Sequence, residues 1–236
     1  MLWDWQSWWA QSLDWRPSED HDPRERADSF YEALYDRHLT VDFAHPEADL
    51  SAYPLVVVPA LYLMTEAAGR NVRGYVENGG TLVVSYFSGI VDEHDAVHEG
   101  AYPGVLRDVL GLTVEEFSPL LKDQRVRLTG PDGPGHGVWS EFVVPRGAET
   151  VWRYADGLTA GRPAVTRHRF GRGTAWYVST RLDTRGLDTL LGRAAEDAAS
   201  TRVPNCPATS RSCAAAASRA PSSSSSTTRP TTPRCR

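Results

Sequence analysis

Two short apolar runs, Leu55–Pro59 (LVVVP) and Thr81–Tyr86 (TLVVSY), bracket a stretch whose apolar residues recur at helical spacing. Between them Ala68, Val72, Tyr75 and Val76 form one stripe, Thr65 stands where an N-cap belongs, and Gly79-Gly80 closes the stretch. A strand with no polar alternation needs cover on both faces. Two such strands joined through a helix therefore predict a parallel pair inside a doubly covered sheet. The fold expected is α/β, with a mostly parallel sheet and helices on both faces.

The flanking segments extend this pattern. Met1–Trp5 reads as a short strand whose beginning is missing, and Thr40–Phe43 as another buried strand. Arg24–Arg37 places Ala27, Phe30 and Leu34 on one helical face. The second half is richer in β-structure: Thr113–Phe117, Arg125–Leu128, Val138–Val144 and Glu149–Tyr154 read as strands. Ala164–Phe170 and Thr174–Ser179 flank Gly171-Arg172-Gly173, a hairpin signal. Thr184–Ala199 is the last amphipathic helix, with Leu187, Leu190, Leu191 and Ala194 on one face. Residues 1–200 are expected to form one domain. Residues 201–236, dominated by Ser, Thr, Pro, Ala and Arg, are expected to be a disordered, low-complexity tail.

Charge and cysteine usage narrow the function. Residues 1–200 carry 19 basic and 30 acidic side chains, whereas the tail holds six arginines and no acid. An acidic body argues against nucleic acid or an anionic membrane as partner. No apolar run is long enough for a membrane span and no basic leader opens the chain, so a cytoplasmic protein is expected. All three cysteines (Cys206, Cys213, Cys235) lie in the tail, which excludes a thiol nucleophile, a disulfide framework and a zinc ribbon from the body.

In a doubly wound sheet ligands sit beyond the carboxyl ends of the strands. Asp4–Trp9, Pro59–Leu63 and Phe87–Asp95 should project there. Ser88 follows a strand as a nucleophile would, with His94 or His98 as base, but the glycines of a tight elbow are missing. A strand-end serine bonded to backbone is the plainer account. His94 and His98 with Asp92, Glu93 and Asp95 have metal-ligand spacing, yet Gly89 and Gly100 bracket them as a solvated loop. Glu115 and Glu116 are strand neighbours pointing to opposite faces, unfit for two-carboxylate chemistry. No catalytic residue, metal site or cofactor site is assigned.

Five of the eight tryptophans fall in the first fifteen residues: Trp3, Trp5, Trp8, Trp9 and Trp15. Such a cluster packs a core, stacks on sugars or anchors an interface. Trp8 and Trp9 are adjacent and cannot both face one core, so they are the candidates for an oligomer interface.

The wording of several segments is itself informative. LWDWQSWWAQSLDWRPS, LTVDFAHPEADLSAYPLVVVPALYLMT, VENGGTLVVSYFSGIVDEHDAV, YPGVLRDVLGL, PAVTRH and YVSTRLD resemble, in order over about residues 1–195, the trimerisation domain of glycoside hydrolase family 42 β-galactosidases. The resemblance implies a Rossmann-like, class I glutamine amidotransferase-like domain that builds a homotrimer. In that family the domain follows a TIM barrel holding both catalytic glutamates and precedes a small β-sandwich. By this resemblance the chain starts inside the first strand of the middle domain, lacks the barrel, and is expected to be inactive alone. GC-rich codons for Asn205–Arg236, read two bases out of frame, can spell LPGDVEVVRRRG and FVLINHTTDDAEVS, which resemble the start of that sandwich. The tail is therefore expected to be a frameshifted reading, consistent with a single lysine against 24 arginines. Two alternatives stay open: a stand-alone amidotransferase-like hydrolase using Ser88, and a carbohydrate-binding module using the N-terminal tryptophans.

Overall fold

The computed structural model describes residues 1–13, 17–18, 21–121, 124–130 and 139–201. Of the expected tail only Thr201 is described, as the end of the last helix; residues 202–236, Trp15 and the Pro131–Gly135 turn lie outside the described residues. β1 (Leu55–Val58) and β2 (Thr81–Ser85) pair in parallel, from Leu55 opposite Thr81 to Val58 opposite Val84. The crossover between them is helix α3 (Glu66–Glu77). The Thr65 hydroxyl accepts from the Ala68 amide at 3.0 Å, satisfying one of the helix's otherwise unpaired first-turn donors.

β8 (Gly173–Val178) lies against the other side of β2, again parallel, with Thr81 opposite Thr174. From β8 the sheet continues antiparallel through β7 (Pro163–Phe170), β6 (Glu149–Tyr154) and β4 (Leu128–Thr129), in the order β1-β2-β8-β7-β6-β4. The sheet is thus mixed. Parallel pairing holds over three strands and ends where the connections become too short to carry a crossover helix. β7 and β8 are joined by the expected hairpin, in which Gly171 takes φ +57°, a conformation costly for a residue with a side chain. At the start of β8, Gly173 passes so close to the end of α3 that an added Cβ would collide with the carbonyl oxygens of Gly80 and Val76.

Both faces of the parallel strands are covered. Val56, Val58, Leu82, Val84, Ala175 and Tyr177 pack with Val72 and Val76 of α3. Val57, Val83, Trp176 and Val178 pack on the other side with Phe30 and Leu34 of α2 (Pro23–Asp36) and Leu187, Leu190 and Leu191 of α5 (Thr184–Thr201). After a 3-10 turn (Gly104–Leu106) and the short α4 (Arg107–Leu110), β3 (Leu112–Pro119) and β5 (Trp139–Pro145) form a second, two-stranded antiparallel sheet. A register shift between Val114 and Phe117 leaves Glu115 and Glu116 both exposed, where strict alternation would have turned one inward.

Three strand expectations change. Met1–Trp5 is not a strand. Leu2 alone bridges to Ala44, its amide also donates to the Val57 carbonyl at 2.8 Å, and Asp4 then caps helix α1 (Trp5–Gln11) through the Gln6 amide at 3.0 Å. Thr40–Phe43 forms no strand, since the pairing begins only at Ala44. Of Arg125–Leu128 only Leu128 belongs to a named strand, β4. In each case the segment lies at an edge of the sheet, where pairing is short.

Candidate functional site

The three segments expected at the carboxyl end of the parallel strands do meet there. Ser7 Oγ on α1 accepts from the Leu63 amide at 3.2 Å, and Gln11 Nε2 donates to the Ala60 carbonyl at 3.0 Å. Gly89 and Ile90 return amide bonds to Leu61 and Tyr62, both at 2.8 Å. What they enclose is filled by the protein itself. Tyr86 stacks on Trp139 with centroids 5.3 Å apart, Phe87 lies edge-on to both Trp139 and Phe117, and His21 meets Tyr86, Phe87 and Trp139 from the α2 side. His21 Nε2 is held 3.0 Å from Gln11 Oε1. The crevice where such sheets bind ligands is an aromatic plug.

Ser88 is sealed inside it. Its hydroxyl donates to the Ser85 carbonyl at 2.9 Å and accepts from the Leu61 amide at 3.1 Å, so both of its roles are taken up by backbone. Among the described residues no hydrogen bond joins it to His94 or His98. The strand-to-turn corner does exist, but Phe87 occupies it with φ +59°. An aromatic side chain in the left-handed region costs about 1–2 kcal/mol, and here it supplies packing rather than a nucleophile. His94 and His98 lie on a turn: Asp92 Oδ1 accepts the His94 and Ala96 amides at 2.8 and 3.0 Å, and His98 Nε2 is 2.9 Å from the Met64 carbonyl. Those two amides hold the Asp92 carboxyl below its ordinary value. No metal-binding group is found among the described residues.

The sequence reading missed Glu141. This β5 carboxylate is fully buried and accepts from Tyr177 Oη at 2.7 Å, from Trp139 Nε1 at 3.0 Å and from the Phe87 amide. Burial pushes its pKa up to about 8 against the downward pull of those three donors. The Tyr177 phenol is raised in turn, first by burial and then by the neighbouring carboxylate. A signal was present: Trp139, Glu141 and Val143 share one side of a strand, which places an acid between two core residues.

Arg26 is a second buried ionisable side chain. Its guanidinium lies 5.2 Å from the Phe30 ring centroid and 5.3 Å from that of Tyr86, and Nη2 donates weakly to Ser85 Oγ at 3.4 Å. The ring faces offset part of its desolvation.

The tryptophan cluster divides as adjacency requires. Trp8 turns inward onto Trp3, 4.9 Å between centroids, and Trp9 points away with 64 % of its surface exposed. Trp3 is half-buried, whereas Trp5, at 59 %, joins Trp9 on the outer side.

The description "Beta-galactosidase trimerisation domain" matches residues 1–200. The chain is 41 % identical over 192 residues to a Geobacillus sp. (strain Y412MC61) protein described as "Beta-galactosidase BgaB", covering 81 % of this chain and 29 % of that one. It is 40 % identical over 193 residues to "Beta-galactosidase LacZ" of Heyndrickxia coagulans, again 81 % and 29 %. Among solved structures, the β-galactosidase of Bacillus circulans sp. alkalophilus superposes with a TM-score of 0.79 at 31 % identity, over 83 % of this chain and 30 % of that one. The β-galactosidase of Rahnella sp. R3 gives 0.79 at 32 %, with the same coverage. The chain therefore spans less than a third of the length of the relatives it matches.

Proposed function

This chain belongs to the beta-galactosidase trimerisation domain family, and on that premise we propose that its work is association rather than chemistry. The observation that carries the reading is the plugged crevice. The place where this architecture would hold a substrate contains Tyr86, Phe87, Trp139 and His21, with Ser88 committed to backbone. Meanwhile large apolar side chains stand exposed on α1. In the parent enzyme the domain would hold three copies of a TIM barrel around one axis. That barrel would carry the two carboxylates, about 5 Å apart, of retaining β-galactoside hydrolysis. The β1–α3–β2 unit and the sharp corner after β2 support a Rossmann-like, amidotransferase-like ancestry for the sheet.

Within this reading Trp8 and Trp9 have different roles. Trp9 is the interface residue, and Trp8 braces the wall behind it through Trp3 and Trp5. Light scattering of the 236-residue protein should report three times 26.0 kDa, about 78 kDa. A monodisperse 26.0 kDa species would overturn the proposal.

Trp9→Ser should lower the trimer fraction while leaving the far-ultraviolet circular dichroism unchanged. Trp8→Ala should instead cost about 2 kcal/mol of unfolding free energy, because a half-buried indole loses its partners. Urea titration of both variants separates the two effects, and equal destabilisation would remove the distinction. The purified chain should release no aryl alcohol from an aryl β-galactoside, and any turnover abolished by a galactosidase inhibitor would contradict the non-catalytic assignment.

A further inference from the structure

Resting on the self-association just proposed, we infer that the copies meet head to tail, with the α1 ridge of one seated on an aromatic shelf beside α2 of the next. Two exposed apolar surfaces support this. The first is the ridge: Trp5, Trp9 and Leu13 recur every four residues and are 59, 64 and 59 % exposed. The second is the shelf, where Tyr31 is stacked against Tyr35 and Phe43 with centroids 6.3 and 6.2 Å apart. Tyr35 and Phe43 are 65 and 57 % exposed.

Local backbone geometry makes the shelf concave. α2 ends in a paired-amide stop: His38 adopts φ +58°, its amide donates to the Tyr35 carbonyl at 2.8 Å, and the Leu39 amide reaches back to the Leu34 carbonyl at 3.1 Å. That reversal carries Leu39–Phe43 back alongside the helix. It leaves a cleft of about 370 Å³ lined by Tyr31, Tyr35, His38, Leu39, Thr40 and Val41. The ridge is convex and the shelf concave, and an indole is of a size to enter the cleft.

Symmetry and area favour a second copy as the occupant. A closed ring of three requires heterologous contacts, in which each copy presents two different surfaces, whereas a twofold dimer presents one surface twice. The two surfaces here differ in shape and in placement: α1 caps the carboxyl end of the parallel strands, whereas α2 covers one face of the sheet. With aromatic side chains burying roughly 150–250 Å² each, ridge and shelf would each contribute roughly 400 Å². Together that is about half of a standard 1,600 Å² interface, the share expected of its apolar centre.

Cysteine cross-linking tests this in the full chain after Cys206→Ser, Cys213→Ser and Cys235→Ser. Ser12→Cys sits beside the ridge and Thr40→Cys in the lining of the shelf cleft, both exposed, so neither removes an aromatic contact. With a short bis-maleimide, the two variants co-expressed should yield covalent pairs, while each alone stays unlinked. The double variant should give a ladder that stops at three. Ser12→Cys chains linking to one another, or a species that is trimeric by light scattering yet unlinked in the co-expressed sample, would overturn the head-to-tail arrangement and leave self-association standing. A monomer by scattering would remove both.

Discussion

Glu141→Gln should make the domain more stable than its parent at pH 9, while the two remain nearly equal at pH 5. The Glu141 carboxyl titrates near 8 in the folded protein because it is buried, against 4.5 when free. The native state therefore keeps a proton that the unfolded chain releases. Its stabilising contribution is full below about pH 4.5 and is lost progressively as pH rises through about 8. At full ionisation the loss is on the order of 5 kcal/mol. Glutamine mimics the protonated acid. Its carbonyl oxygen can accept from Trp139, and its amide can donate to a reoriented Tyr177 hydroxyl, so the exchange itself should cost no more than about 1 kcal/mol. Thermal denaturation of both proteins at pH 5, 7 and 9 measures the difference. Parallel pH profiles for parent and variant would refute the buried-proton account.

Gly173→Ala should come close to abolishing the fold, although it adds one methyl group. The added Cβ would meet two backbone carbonyls, those of Gly80 and Val76, and neither can swing aside as a side chain does. The Thr174 amide already bonds to the Gly80 carbonyl at 3.2 Å, so relief requires β8 to move away from β2 along their shared register. A loss of at least about 4 kcal/mol is expected, which places this change in the exceptional tail of single substitutions. Gly74→Ala is the matched control: it lies in α3 with nothing within 4 Å of its added Cβ, and should stabilise by up to about 1 kcal/mol. Urea unfolding midpoints that move the same way for both would contradict this account.

These two sites also show what could and could not be read in advance. The β1–α3–β2 unit was legible because local rules agree there: Thr65 caps, Val72 and Val76 recur on one face, and the strands show no polar alternation. The hairpin at Gly171 was legible for the same reason. Position 41 of the chain was not, because a β-branched run at a sheet edge looks the same whether or not a neighbour arrives to pair with it. Met1–Trp5 misled for a related reason, since apolar residues were counted as strand although Asp4 is a helix cap.

At the carboxyl end of the sheet, chain positions correctly brought Asp4–Trp9, Pro59–Leu63 and Phe87–Asp95 together. Whether that meeting place is open or filled depends on Trp139, which lies far away in sequence, and on how His21 is folded against it. Long-range packing of this kind has no local signature. Glu141 is the instructive exception, since its strand neighbours Trp139 and Val143 already implied a buried acid.

The position of β8 has a consequence for synthesis. It sits between β2 and β7, yet among the described residues it is the last of the sheet's strands to be made. Ser85 completes β2 and Gly173 opens β8. At about 5–20 residues per second, the ribosome takes on the order of 4–18 s to cross that interval. Throughout it, one edge of an entirely buried strand has no partner, and neither half of the sheet can close without the other. The nascent chain should therefore depend on chaperone protection for that period and become protease-resistant in a single late step. Translation arrested before residue 173 should leave the amino-terminal half as sensitive to protease as an unfolded chain.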